Sequence, residues 1–139
     1  MSHAIFAGTT TARLPWIIDA LTQAGYQASE ISIVTTTDQP LPASLQLAWQ
    51  MGRHHLFSQG PLTAHFTQRF SATLPASLRS FGLPAYAVRH CETLLDRDDA
   101  LIAVHTDNAF EIELIADLLQ ENGCQYMATV GGVPDLLVA

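Results

Sequence analysis

WIIDALTQAGY, residues 16–26, lies a constant 98 positions before LIADLLQENGC, residues 114–124, and the two segments align without a gap. Asp19 faces Asp117, Leu21 faces Leu119 and Gly25 faces Gly123. Working outward, the apolar run AIFAG (4–8) falls opposite IAVHT (102–106), and EISIV (30–34) falls near YMATV (126–130). Each end of the chain therefore reads strand, helix, strand. The helices follow from spacing: Leu14, Ile17, Ile18 and Leu21 recur at i, i+3, i+4 and i+7, and Ile112, Ile115, Ala116 and Leu119 repeat the stripe. Gly25 and Gly123 are expected to end the helices in a left-handed conformation. Asn108, with Glu111 three positions on, is a cap for the second helix, and Pro15 is tolerable only in an opening turn, which starts the first helix near Ala12.

Two βαβ units related by pseudo-symmetry predict an α+β fold, a ferredoxin-like sandwich with one four-stranded antiparallel sheet and the first and third strands central. A doubly wound parallel sheet ordinarily needs more strands than the sequence offers. The chain is read as one domain, with a first half at 3–35, an insert at 36–100 and a second half at 101–133.

An insert of that length predicts structure of its own, because long structureless loops are rare in compact domains. Helices are expected in ASLQLAWQMG, with Leu45, Ala48, Trp49 and Gly52 on one face, and in PLTAHFTQRF, with Leu62, Phe66 and Phe70 in a row. A third is expected in LPAYAVRHCETLLDRDD, carrying Ala87 or Val88, Cys91, Leu94 and Leu95 inward. These helices would pack on or beside the sheet.

Hydrophobic residues make up 48% of the 139 positions and charged ones 14%, against roughly 25% charged in an ordinary soluble domain. A surface so sparsely charged predicts that an apolar face is covered by a second copy, a homodimer. No stretch has the length of a membrane span and no leader peptide is recognisable, so a soluble, cytoplasmic protein is expected. Cys91 and Cys124 belong to no CxxC motif and read as buried free thiols.

Between Asp38 and Glu92 lie 53 residues without an acid, holding Arg53, Arg69, Arg79 and Arg89 with His54, His55, His65 and His90. Such a segment packs against the acidic flanks of its own fold or meets an acidic partner. Arg53, His65 and Arg69 are candidate interface residues. A metal site is not expected, because adjacent histidines diverge on a helix and no histidine pair stands at i, i+4. Cys91 and its neighbour His90 point apart on a helix, so they make no nucleophile and base. GxSxG, GxxxxGKS and GxGxxG are absent, and neither an enzyme nor a cofactor is expected. The one ligand candidate is GTTTAR, where Thr9, Thr10, Thr11 and Arg13 lead into a helix N-terminus, the kind of place that attracts a small anion. Arg13 there opposes the helix dipole, which a bound anion would explain. With a net charge of −7 and no lysine, nucleic acid is an unexpected partner.

AGYQASEISIV (24–34) and GLPAYAVRHCETLLDRDDALIAV (82–104) resemble the bacterial general-stress-protein domain, also described as heat-induced stress protein. The chain departs from that pattern in having Cys91 before Glu92, where a tyrosine is common, and Asp98-Asp99 where two glycines are favoured. The resemblance implies a ferredoxin-like module tied to stress response and supplies no catalytic residue. The expected function is a non-enzymatic interaction or regulatory module acting as a homodimer, or alternatively a sensor of an anion or nucleotide at the Thr9–Arg13 turn.

Overall fold

The computed structural model describes residues 3–36, 47–51, 54–61, 73–97 and 99–131. The chain runs β1 (His3–Thr9), α1 (Leu14–Gln23), β2 (Ile31–Thr35), β3 (Leu47–Met51), β4 (His54–Gln59), α2 (Leu74–Phe81), α3 (Ala85–Asp96), β5 (Ala100–Thr106), α4 (Ile112–Glu121) and β6 (Gln125–Val130). The fold is α+β. Its core is the ferredoxin-like antiparallel arrangement β2-β5-β1-β6, with the first strand of each half in the middle. Residues 4–8 and 102–106 lie side by side, in a register that joins Ile5 to Val104 and Phe6 to Ala103.

The sheet is wider than four strands. A hairpin from the insert, β3 with β4, pairs Val34 of β2 with Ser58 of β4 and extends the described sheet to six strands in the order β3-β4-β2-β5-β1-β6. This corrects the helix expected at ASLQLAWQMG: Ala48 and Trp49 lie in β3, paired with Phe57 and Leu56. The same run also alternates, with Leu45, Leu47, Trp49 and Met51 spaced by two, and aromatic residues favour a pleated surface. The signal that decides it is the pair of positions, opened by Gly52, between Met51 and His54, which are themselves partners. Leu45, Gly52 and the helix expected at PLTAHFTQRF, Pro61 apart, lie outside the described residues, as do Arg53, His65 and Arg69.

Helices cover both faces of the sheet. Side chains alternate along each strand, and Ile5, Ala7, Ile33, Ile102 and Val104 pack with Leu14, Ile17 and Leu21 of α1 and Ile115 and Leu119 of α4. The opposite face, with Ala4, Phe6, Val34, Leu101 and Ala103, packs against Leu74 and Leu78 of α2 and Ala87, Val88, Cys91, Leu94 and Leu95 of α3. Burial on both sides explains why β1 and β5 read as continuous apolar runs rather than as alternating ones. Phe6 is wholly buried under Phe81, whose ring stands edge-on to it at 5.8 Å. Full burial of a side chain of this size contributes about 2–3 kcal/mol.

The two halves terminate their helices identically. The amides of Gly25 and Tyr26 return to the carbonyls of Thr22 and Leu21, and those of Gly123 and Cys124 to Gln120 and Leu119. Both glycines take a positive φ, 101° and 85°, which completes a Schellman turn after α1 and again after α4. Asn108 caps as expected, its Oδ1 accepting from the Phe110 amide at 3.0 Å. A 3-10 turn at Thr11–Arg13 precedes α1, so the helical path does begin beside Ala12, with Pro15 in the opening turn. The edge strand β6 carries one irregularity: its register with β1 shifts between Phe6 and Ala7, and consecutive Met127 and Ala128 both join the α2–α3 side of the core. A bulge of this kind twists an exposed edge away from further pairing.

Candidate functional site

The Thr9–Arg13 turn leaves the sheet where α4 ends. Thr9 closes β1 and is buried, Thr10 is exposed, and Thr11 opens the 3-10 turn. Thr10 occupies the cap position of that turn, yet its side chain makes no cap hydrogen bond. Arg13 is exposed at the cap position of α1 and turns away from that helix's amides, so that its guanidinium lies across Gly123. A cation opposing its own helix dipole is thereby set at the end of another helix, where the partial charge is negative and the interaction favourable. The fold thus gives Arg13 a place of its own. Of the four residues, Thr9 and Arg13 converge, on the buried Cys124. Burial pushes that thiol up to about 11, and the Arg13 charge holds back part of the rise; the buried Thr9 hydroxyl beside it meets no hydrogen-bond partner among the described residues.

At the opposite end of the same helix pair, Tyr26 follows the Schellman turn of α1 and lies half-buried near two acids. Burial raises its phenol above the ordinary value, and the charges of Glu111 and Glu30 add to the rise. Glu111 is itself anchored, accepting a 2.7 Å hydrogen bond from Thr106, whose hydroxyl in turn receives the Asn108 amide. Glu111 is the residue 98 positions after Arg13, and each of the two occupies the N-terminal cap position of its helix without a side-chain cap hydrogen bond.

A third polar feature is interior. His105 on β5 and Ser32 on β2 are buried among the apolar side chains facing α2 and α3, with Nε2 and Oγ 2.8 Å apart. The Phe81 ring stands edge-on to the imidazole at 6.2 Å. Burial depresses the imidazole pKa to about 4, which keeps the ring neutral at ordinary pH. The pair is sealed from solvent and acts in packing. Its signal in the sequence is a histidine closing the apolar run LIAVH, a position where a polar group demands a partner.

Cys91 is also interior, on the α3 face against the sheet, and burial pushes its thiol up to about 12. A thiol held so far from ionisation is a poor nucleophile. His90 is half-buried beside it in sequence but lies on the outer side of α3. Among the described residues no group of three or more His, Cys, Asp or Glu gathers as a metal would require, and no helix is long and apolar enough to cross a membrane.

The layer of α1 and α4 exposes Asp19, Glu113, Asp117 and Glu121 with Arg13 at its start, whereas the layer of α2 and α3 exposes Arg79, Arg89 and Asp96. The sheet separates them. The pairing of these two arginines with the acidic flanks of their own fold is therefore not made, for a simple reason: the insert's helices cover the face that α1 and α4 leave bare. Arg97 does meet an acid, Asp99, at 3.5 Å, but at a half-exposed surface where such a pair contributes little.

Compared with protein-family models, curated proteins and solved structures, the chain has no match.

Proposed function

We propose that the chain is a non-enzymatic interaction or regulatory module, associated with stress response, that works as a homodimer. The observation that carries this reading is apolar surface left in water on the α1–α4 layer: Trp16, Leu114 and, just before α4, Phe110 are 75%, 67% and 91% exposed. Large apolar and aromatic side chains held in solvent on a rigid scaffold are the anchors that interfaces use. The likeness of 24–34 and 82–104 to the general-stress-protein domain supports the stress association. Arg53, His65 and Arg69 are the basic side chains proposed to border the interface, and Arg69→Glu is expected to loosen assembly more than Arg13→Glu. Light scattering tests the reading: a mass of at least two copies is expected at micromolar concentration. A soluble monomer there would remove it.

A second reading is an anion sensor at Thr9–Arg13. The absence of a Thr10 side-chain cap favours it, since first-turn amides are then left for another acceptor. A thermal-shift series with phosphate, polyphosphate and nucleotides is expected to raise the melting temperature of the parent and not of Arg13→Ala; a flat response at millimolar ligand removes this reading.

A further inference from the structure

The Thr9–Arg13 turn gathers donors that nothing in the fold accepts from. The hydroxyl of Thr9, a residue only 6% exposed, meets no hydrogen-bond partner among the described residues, and a buried donor left unpaired costs stability until an acceptor reaches it. The amides of Thr11 and Ala12 open the helical path into the ten-residue α1 and likewise have no partner among the described residues. An aromatic ring stands over them. Trp16 follows Ala12 by four positions and Arg13 by three, which places it on their side of the helix, one turn on. Side chains on a helix lean toward its N-terminus, so the indole inclines toward the turn. It is 75% exposed and takes no part in the core.

We propose that this turn binds a nucleoside monophosphate, with the phosphate on the donors of residues 9–13 and the base stacked on Trp16. The inference rests on the reading of the turn as an anion sensor and names its ligand. The phosphate accepts from the amides of Thr11 and Ala12, where the helix dipole favours negative charge, and from the Thr9 hydroxyl. Arg13 completes the site. Its guanidinium lies across Gly123 and acts on Cys124, beside which the Thr9 hydroxyl also stands, and its long stem lets it swing from there onto the phosphate. The ribose spans the single turn between phosphate and indole, about 5 Å along the axis. Stacking on an aromatic ring accepts any base, so the ligand is defined by one phosphate and one planar ring. A single phosphate suits the charge: Arg13 is the one cation exposed among the described residues of the α1–α4 layer, against Asp19, Glu113, Asp117 and Glu121, and each added phosphate meets acids instead. Phe110 and Leu114 flank the start of α4, whereas Arg13 meets Gly123 past its end, so self-association through those two leaves Trp16 available.

Isothermal titration calorimetry on the full chain tests this with adenosine monophosphate, adenosine triphosphate, adenosine and inorganic phosphate. The parent is compared with Arg13→Ala, Thr9→Val and Trp16→Ala. Arg13 and Trp16 are exposed, and circular dichroism checks that each variant keeps the fold. The parent is expected to bind the monophosphate about tenfold more tightly than inorganic phosphate, more tightly than the triphosphate, and more tightly than adenosine. Trp16→Ala is expected to lose that gain of about tenfold while holding inorganic phosphate as the parent does. Arg13→Ala and Thr9→Val are expected to weaken both. A monophosphate bound no more tightly than phosphate, or equally well by Trp16→Ala, would overturn the nucleotide and leave the anion sensor standing. So would a triphosphate bound more tightly than the monophosphate. Phosphate affinity unchanged in Thr9→Val would take the buried hydroxyl out of the site and overturn it as drawn. A parent that binds none of the four removes the anion sensor as well.

Discussion

The guanidinium of Arg13 lies across Gly123, in the space where a side chain at position 123 would stand: a Cβ there would be 2.8 Å from Arg13 Cζ and would meet Nη1. The start of α1 is thereby joined to the end of α4. The pseudo-symmetric contact is electrostatic, with Glu111 at the start of α4 acting on Tyr26 just past the end of α1. The residue at each helix's N-terminal cap position thus acts just past the end of the other helix, Arg13 at Gly123 and Glu111 on Tyr26.

Gly123→Ala is expected to destabilise the protein by about 2 kcal/mol or more, combining the left-handed backbone at φ 85° with displacement of the arginine. In an Arg13→Ala background the same substitution should cost about 1 kcal/mol less, since only the backbone penalty remains. Urea denaturation of the four proteins measures the coupling. Strict additivity would contradict the contact.

Gly60 and Gly25 make a controlled comparison. Both have positive φ, 92° and 101°, but a Cβ on Gly25 meets nothing within 4 Å, whereas one on Gly60 runs into the Ile31 carbonyl and stands 2.6 Å from Ser32 Cα. Backbone cannot move aside as a side chain can. Gly25→Ala should cost about 1 kcal/mol and Gly60→Ala roughly 3 kcal/mol or more. Equal midpoints in urea would mean that β4 does not leave the sheet against β2 as described.

The His105–Ser32 pair predicts a pH dependence. The imidazole pKa is about 4 in the fold, against 6.5 ordinarily, so between those values the unfolded chain binds a proton that the folded chain refuses. Stability from this source is fully present above pH 6.5 and is lost as pH falls toward 4, by up to about 3 kcal/mol. Denaturation midpoints should fall across that window in the parent, and His105→Gln should flatten the slope. A parallel slope in the variant would assign the acid sensitivity to other groups.

The two thiols should be silent in the native state. With pKa values near 12 for Cys91 and 11 for Cys124, neither supplies appreciable thiolate at pH 8. Both should react with a thiol reagent once the chain is denatured in urea. Prompt labelling of Cys91 in the folded protein would contradict the packing of α3 on the sheet.

The sandwich was legible because its two halves carry the same stripes, the same glycines and the same spacing, so each supported the reading of the other. The insert has no such second copy. There Ala48 and Trp49 fit a helix as readily as the strand they form, and only the register of Met51 with His54 distinguishes the two. Helical cover from the insert was expected on or beside the sheet, and the unbroken apolar runs in β1 and β5 mark the second face as the one that α2 and α3 cover. That coverage supplies an internal use for part of the apolar excess that composition alone assigned to a partner. The candidate turn was found by its residue types, but the direction of Arg13 depends on where α4 ends, a relation across more than 100 residues that no local pattern records.

The fold depends on β1 and β5 being neighbours at the centre of one antiparallel sheet. Interstrand nuclear Overhauser contacts measure this directly. They are expected to join Ile5 with Val104 and Phe6 with Ala103, and on the outer side of the core to join Val34 with Ser58. Spectra in which residues 4–8 show no contact with 102–106, or show it in a different register, would contradict it.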